Sequence, residues 1–339
     1  MGFITRWDLD KTYLRSRFDT LSELVSTALE PAERKRSVPG ATELLRELGA
    51  AGARVHILSG SPRQMRRKIE AKLRLDGVRW DELTLKPNLS NLVLLRLRAL
   101  RDQLSYKLPE LLAARARDQA GVGRAADAAE VLVGDDSESD AFVYSLYADL
   151  CSGAIDAGEL ERVFVTGRAY AHAQETCRRA LSSIRRAPFV HRILIHLDGQ
   201  TPPSQFAIYG PRLVPFYNYL QAALVLLEAG ILQPAAVLGI AAGFSQKHGF
   251  SADAIARSYF DLSRRGHASG AAPQALLLAL SEAEPGAFSS KQSELRRAIE
   301  QMQDAPPAPA AAAPPRVDYA ELAAHYGGGK NRRRPGQRF

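Results

Sequence analysis

The sequence predicts an α/β protein built on a parallel sheet. Short apolar runs alternate with amphipathic helical stretches up to about residue 200, which is the rhythm of βαβ units. Three of those runs end in polar, chemically active residues, as strands do at the carboxyl edge of an open parallel sheet. Composition agrees: of 339 residues, 46% are apolar and 24% charged, which excludes a collagen-like, wholly disordered or disulfide-stapled chain.

The elements follow in order. Phe3–Trp7 is an apolar–polar run and predicts the first strand. Leu21–Leu29 and Ala41–Leu48 carry helical spacing, and Pro39-Gly40 opens the second. Arg54–Leu58 is an apolar strand ending in Ser59-Gly60-Ser61-Pro62, and Gln64–Leu75 is then a strongly basic helix. Leu83–Leu85 reads as a strand, and Asn91–Leu104 as a leucine-rich helix carrying Arg96, Arg98 and Arg101. Pro109 suits the first turn of a further helix to about Gln119, which leaves Lys107 in the loop before it. Glu130–Val133 is a strand running into Gly134-Asp135-Asp136, followed by a helix from Ser139 to about Leu150. Arg162–Val165 reads as another strand, Ala169–Arg185 as an amphipathic helix and Val190–Leu197 as a further strand.

Beyond Pro211 the pattern becomes mainly helical, out to about Met302. Tyr219 to Phe244 is the one stretch apolar enough to suggest a membrane span. Glu228, Gly230 and Pro234 divide it into two buried helices instead, so no transmembrane helix is expected. From Asp304 prolines punctuate an alanine run, and 303–339 reads as a Pro/Ala-rich, basic, disordered tail with a short helix near Asp318–Tyr326.

Cys151 and Cys177 have no metal or redox spacing and read as small buried hydrophobes. With no disulfide framework and no leader pattern at the N-terminus, a cytoplasmic setting is expected. The net charge of +8 favours a polyanionic partner but does not choose between nucleic acid and an anionic membrane.

The acidic residues are the informative ones. Asp8-Leu9-Asp10-Lys11-Thr12 follows the first strand, Ser59 the second, and Gly134-Asp135-Asp136-Ser137-Glu138-Ser139-Asp140 a third. Carboxylates converging on one sheet edge repel, and a hard divalent cation held by oxygen ligands, with waters retained, relieves that repulsion; magnesium fits. A nearby lysine, Lys107, balances remaining charge.

These four segments resemble the motifs of the haloacid dehalogenase (HAD) superfamily of phosphotransferases. Within it, Trp7 to Tyr147 resembles the catalytic domain of the actin-patch-associated phosphatidate phosphatases. Val38-Pro39-Gly40, Ser59-x-Ser61-Pro62-x-Gln64, Tyr106-Lys107-Leu108 and Gly134-Asp135-x-x-Glu138-x-Asp140 carry that closer match. The resemblance implies that the α/β part, 1–200, is a HAD-like Rossmannoid domain without a large cap; the sequence pattern itself adds a helical region over 201–302 and the tail over 303–339. The resemblance also implies roles. Asp8 would be the nucleophile that forms an aspartyl-phosphate, and Asp10 the general acid and base. Thr12 would fix the loop, Ser59 would bind the phosphoryl group and Lys107 would neutralise it. Asp8, the Asp10 carbonyl and Asp135 would hold Mg2+, with Asp140 as a further or supporting ligand. Ser61 and Arg63 would bind substrate.

Three positions depart from the narrower family's pattern. Lys11 replaces a usual acid, Arg63 a common aromatic, and Asp136 a small residue, which reads either as a solvated turn residue or as an acceptor supporting the site. The stretches Tyr13–Ser37 and Lys86–Tyr106 are too short to build a domain-sized cap. An uncapped site favours a phosphate on something large, so a lipid phosphate such as phosphatidate is expected, with peripheral membrane contact. Basic residues outnumber acidic ones over 60–110 and 178–192, a surface suited to attracting an anionic substrate. The alternatives are a protein or nucleic-acid phosphate, or a binding protein on a HAD scaffold that does no chemistry.

Overall fold

A computed structural model describes residues 2–15, 31, 33–86, 100–121, 126–137, 139–284, 288, 291–309 and 316–327. Six strands pair in parallel: β1 (Phe3–Trp7), β2 (Arg54–Pro62), β3 (Glu82–Lys86), β4 (Ala129–Asp135), β5 (Val190–His196) and β6 (Leu213–Phe216). Their order is β3-β2-β1-β4-β5-β6, a doubly wound, Rossmann-like sheet whose direction of winding reverses between β1 and β4. Ligands of such sheets collect beyond the carboxyl ends of the strands at that reversal.

Alternation along each strand divides the core between two faces. Trp7, Val55, Ile57, Val133 and Val214 point to one face and Leu58, Leu132, Ile193 and Ile195 to the other. The first face is covered by α1 (Ala41–Ala50) and α2 (Arg66–Leu75). It is also covered by a late bundle of α7 (Tyr219–Glu228), α8 (Pro234–His248), α9 (Ala252–Arg264), α10 (Ala272–Glu282) and α11 (Gln292–Met302). The second face packs against α3 (Leu100–Ala120), α4 (Asp140–Ser152), α5 (Ala157–Thr166), α6 (Ala171–Ser183) and α12 (Tyr319–Gly327). The late helices thus share one hydrophobic core with the sheet.

Several expectations meet the structure directly. The break inside Tyr219–Phe244 is there: Gly230 takes φ 70° after α7, and Pro234 begins α8. Among the described residues no helix is long and apolar enough to cross a membrane. The expected helix Leu21–Leu29, and residues 91–99 of the expected helix Asn91–Leu104, lie outside the described residues.

Four expectations need correction. Arg162–Val165 is not a strand but part of α5. A capping box starts that helix: the Glu159 N–H donates to Asp156 Oδ1 at 2.8 Å and the Asp156 N–H to Glu159 Oε2 at 3.1 Å. Leu160, Val163 and Phe164 then bury at helical spacing while Val165 stays exposed. Pro109 lies inside α3 rather than in its first turn, so Lys107 is helical and not in a loop. The lost backbone hydrogen bond at Pro109 is offset by Leu104, Leu108, Leu111 and Leu112, all buried against the sheet.

The onset of the helical region is also later than expected, because Leu213–Phe216 is a sixth strand. Pro215 disguises it, yet β6 is an edge strand, where a missing donor is tolerated. Finally, Tyr319–Gly327, expected as a short helix in a disordered tail, is docked. Tyr319 is buried, its hydroxyl donates to Asp149 at 2.6 Å, and the Phe142 ring packs edge-on to both Tyr319 and Tyr326.

Candidate active site

The acidic segments meet where the winding reverses. Asp8 follows β1, and its N–H continues the ladder by donating to the Val133 carbonyl at 2.8 Å. Asp135 is the last residue of neighbouring β4, and Asp140 the first residue of α4. Carboxylate oxygens of these three buried residues lie within 4.8 Å of one another. Lys107 reaches them from α3 and is fully buried, with its Nζ 2.9 Å from Asp8 Oδ1 and 2.5 Å from Asp140 Oδ1. Thr12 is buried beneath the cluster, its hydroxyl 3.4 Å from both Asp8 Oδ2 and Asp135 Oδ2.

Three carboxylates and one ammonium leave an excess of negative charge in a buried space, where Coulomb repulsion is poorly screened. An all-oxygen donor set of this charge suits a hard divalent cation. Asp8 and Asp135 are the natural ligands. Asp140 serves the arrangement differently, since Oδ1 takes Lys107 and Oδ2 accepts the Asp135 N–H at 3.2 Å. It orients the lysine and the strand end together. Its approach demands glycine at 134, because a Cβ there would sit 2.7 Å from Asp140 Cβ. Gly134→Ala is therefore expected to push α4 away and cost about 1–3 kcal/mol in denaturant unfolding.

The Asp10 carboxylate stands apart from that cluster. It accepts from the Ser61 hydroxyl at 3.0 Å and the Ser59 hydroxyl at 3.3 Å, while the Ser59 Oγ accepts the Ser61 N–H at 3.0 Å. Ser59 and Ser61 thus meet the second aspartate at the end of β2, where the ladder register shifts. Arg63 comes next and is exposed. Its charge acts on Tyr106, whose hydroxyl donates to the Ser59 carbonyl at 2.8 Å. Burial pushes the Tyr106 phenol far above its usual range, so it stays a donor.

The loop carrying Asp8 and Asp10 is held from several sides. Tyr13 and Leu14 N–H groups both donate to the Leu9 carbonyl, and Lys11 takes the left-handed conformation at φ 59°. The Lys11 carbonyl lies 3.1 Å from His196 Nδ1, which must carry the proton to donate there. Burial depresses the His196 pKa, so the ring stays neutral. The Tyr219 hydroxyl donates to the Thr12 carbonyl at 2.5 Å, and its ring stacks on Trp7.

Asp136 is no free turn residue. Its oxygens accept from Gly199 N–H at 2.6 Å and Thr201 N–H at 2.8 Å, clamping the loop after β5 beside the site.

The eight expected residues Asp8, Asp10, Thr12, Ser59, Ser61, Lys107, Asp135 and Asp140 are thus brought together, and Arg63 lies at the border. The expected basic surface is only partly there. Arg66 is spent on Glu70 and the Leu83 carbonyl, while Arg178, Arg179 and Arg185 pair with Glu161, Glu175 and Asp127. His196, which flanks a strand and reads as structural, supports the loop together with Tyr219. A strand-end position marks His196, but no local pattern marks Tyr219.

No protein-family model, curated protein or solved structure matches the chain. What the site can do follows from its own chemistry. A carboxylate beside a buried ammonium, opposite a second carboxylate, is equipped to accept an electrophilic phosphorus. An aspartate held by two hydroxyls stands ready to exchange a proton.

Proposed function

We propose that this chain is a magnesium-dependent phosphomonoesterase of HAD type, acting through an aspartyl-phosphate on Asp8. The observation that carries this is Lys107. A lysine buried between Asp8 and Asp140, at 2.9 and 2.5 Å, is costly to desolvate and makes sense where a phosphoryl group must be neutralised. A dinucleotide-binding role, which the sheet order alone would allow, is disfavoured by Asp8-Leu9-Asp10 standing where a glycine-rich phosphate turn would be needed.

In this reading Asp8 attacks the phosphorus and the ester oxygen leaves with a proton from Asp10. Ser59 and Ser61 orient that proton donor through their hydroxyls. Asp10 then takes a proton from the water that cleaves the aspartyl-phosphate, restoring both residues. Lys107 holds Asp8 in line. Asp8, Asp135 and the Asp10 carbonyl would hold Mg2+, which supplies charge neutralisation for the transferring phosphoryl group.

The substrate is a lipid phosphate such as phosphatidate, supported by the short stretches at both cap positions. Exposed Arg63 also suits a protein or nucleic-acid phosphate. Phosphate release is to be measured from phosphatidate in mixed micelles, a 5′-phosphorylated oligonucleotide and a phosphoserine peptide at matched salt. Phosphatidate is expected to turn over with magnesium and stop with a chelator. Turnover of the oligonucleotide or peptide alone would replace the substrate, and no turnover at all would leave only the non-catalytic scaffold.

A further inference from the structure

The rim around the acidic cluster carries arginines without an ion-pair partner among the described residues. Leu14 bridges to both Asp10 and Ser37, and just beyond that bridge the Arg15 N–H donates to the Arg36 carbonyl at 2.9 Å. Arg15 and Arg36 are therefore cross-strand neighbours beside Asp10, and both are exposed. Arg63 flanks Asp10 from the other side, directly after the end of β2, whose Ser61 hydroxyl donates to Asp10. Among the described residues none of these three has an ion-pair partner, although arginines elsewhere, such as Arg54, Arg117 and Arg212, do.

Two exposed aromatics share this edge. Tyr217 directly follows the last residue of β6 and is 48% exposed; Tyr326 is 46% exposed. Tyr326 packs on Phe142 in the first turn of α4, two residues from Asp140, while Tyr319 at the other end of α12 bonds Asp149 further along α4. Helix α12 therefore packs along α4, with Tyr319 and Tyr326 both against Phe142.

We infer that this collar is a docking surface for an anionic lipid bilayer, which seats the site on the membrane plane. Arginines without ion-pair partners beside the candidate site, with exposed Tyr217 at the same carboxyl edge of the sheet, match the charge and the interfacial polarity of anionic headgroups. The inference rests on the lipid-phosphate reading above and deepens it.

The test uses the full chain and vesicles of phosphatidylcholine alone or mixed in equal parts with phosphatidylglycerol. Phosphatidylglycerol carries a phosphodiester, so binding to it is independent of whether the phosphomonoesterase reading holds. Co-sedimentation should be confined to the mixed vesicles and weaken with salt. Arg15→Gln/Arg36→Gln should lower the affinity about thirtyfold, the size expected of two cations near an anionic surface. A matched pair on the far helices, Arg257→Gln/Arg296→Gln, should leave it within about twofold, and thermal melting verifies that both variants fold. Equal binding to both vesicle types, or no effect of the Arg15 and Arg36 changes, overturns the proposal. So does binding of a single-stranded oligonucleotide, lost in that double variant, with no binding of vesicles.

Discussion

Asp8→Asn should stop phosphate release while leaving the fold intact. Asparagine has the shape of aspartate, so the Asp8 N–H bond to Val133 and the packing over Thr12 survive. Its amide cannot attack phosphorus as a carboxylate does. A loss of at least about 10⁴-fold in kcat is expected, or about 5.5 kcal/mol of barrier. Stability should move the other way. The change removes one of three clustered negative charges, so metal-free Asp8→Asn should melt no lower than the metal-free wild type, and magnesium should raise its melting temperature less. Thermal melting with magnesium and with a chelator, run beside the activity assay, checks both halves. Undiminished turnover by the variant would remove Asp8 from the mechanism.

The residues that carry this site were legible because each sits at a strand end. Phe3–Trp7, Arg54–Leu58 and Glu130–Val133 are short apolar runs that are easily read, and Asp8, Ser59 and Asp135 follow them or close them. Sheet edges translate directly into sequence position, so spacing sufficed. Errors arose where a residue's local preference was overridden. Arg-Val-Phe-Val has the bulky, branched look of a strand, yet one capping box and one buried face make it helical. Pro109 and Pro215 read as breaks, but the buried leucines of α3 and the edge position of β6 tolerate them.

What supports the nucleophile loop was invisible for a different reason. His196 and Tyr219 reach Lys11 and Thr12 across gaps of more than 180 residues, so nothing near Asp8 announces them. Asp136 could not be resolved from sequence either, because its partners are backbone groups of another loop.

The same is true of the charge network buried under the sheet, where the second large effect is expected. Arg6 on β1 donates to Glu130 at 2.8 Å and Asp118 at 2.7 Å, Arg115 from α3 donates to Glu130 at 3.2 Å, and the Tyr147 hydroxyl donates to Glu130 at 2.6 Å. Burial works against the Glu130 charge, but Arg6 and then Arg115 outweigh it and hold the carboxyl below its usual range. Glu130→Gln would leave buried Arg115 without an anion and Arg6 with Asp118 alone, at a cost of about 3–5 kcal/mol. That is a large part of the 5–15 kcal/mol typical of a folded protein. Replacing the central set, Arg6→Met/Arg115→Met/Glu130→Leu, should recover much of the loss, since no guanidinium is then stranded and Asp118 keeps its pair with Arg54. Denaturant unfolding of the two variants decides it, and equal destabilisation by both would mean that packing rather than charge is responsible. The pH dependence gives an independent check. Burial, then the charge of Arg6, depress the pKa of His56, so the unfolded chain takes up a proton below about 6.5 that the fold refuses, and stability falls with pH from there. The Glu130 contribution is present above about 4.5 and is lost as pH falls further through its depressed folded value. Wild type should therefore weaken in two stages on acidification, and Glu130→Gln should keep the first stage and show a smaller second one, the remainder coming from other depressed carboxyls such as Glu43.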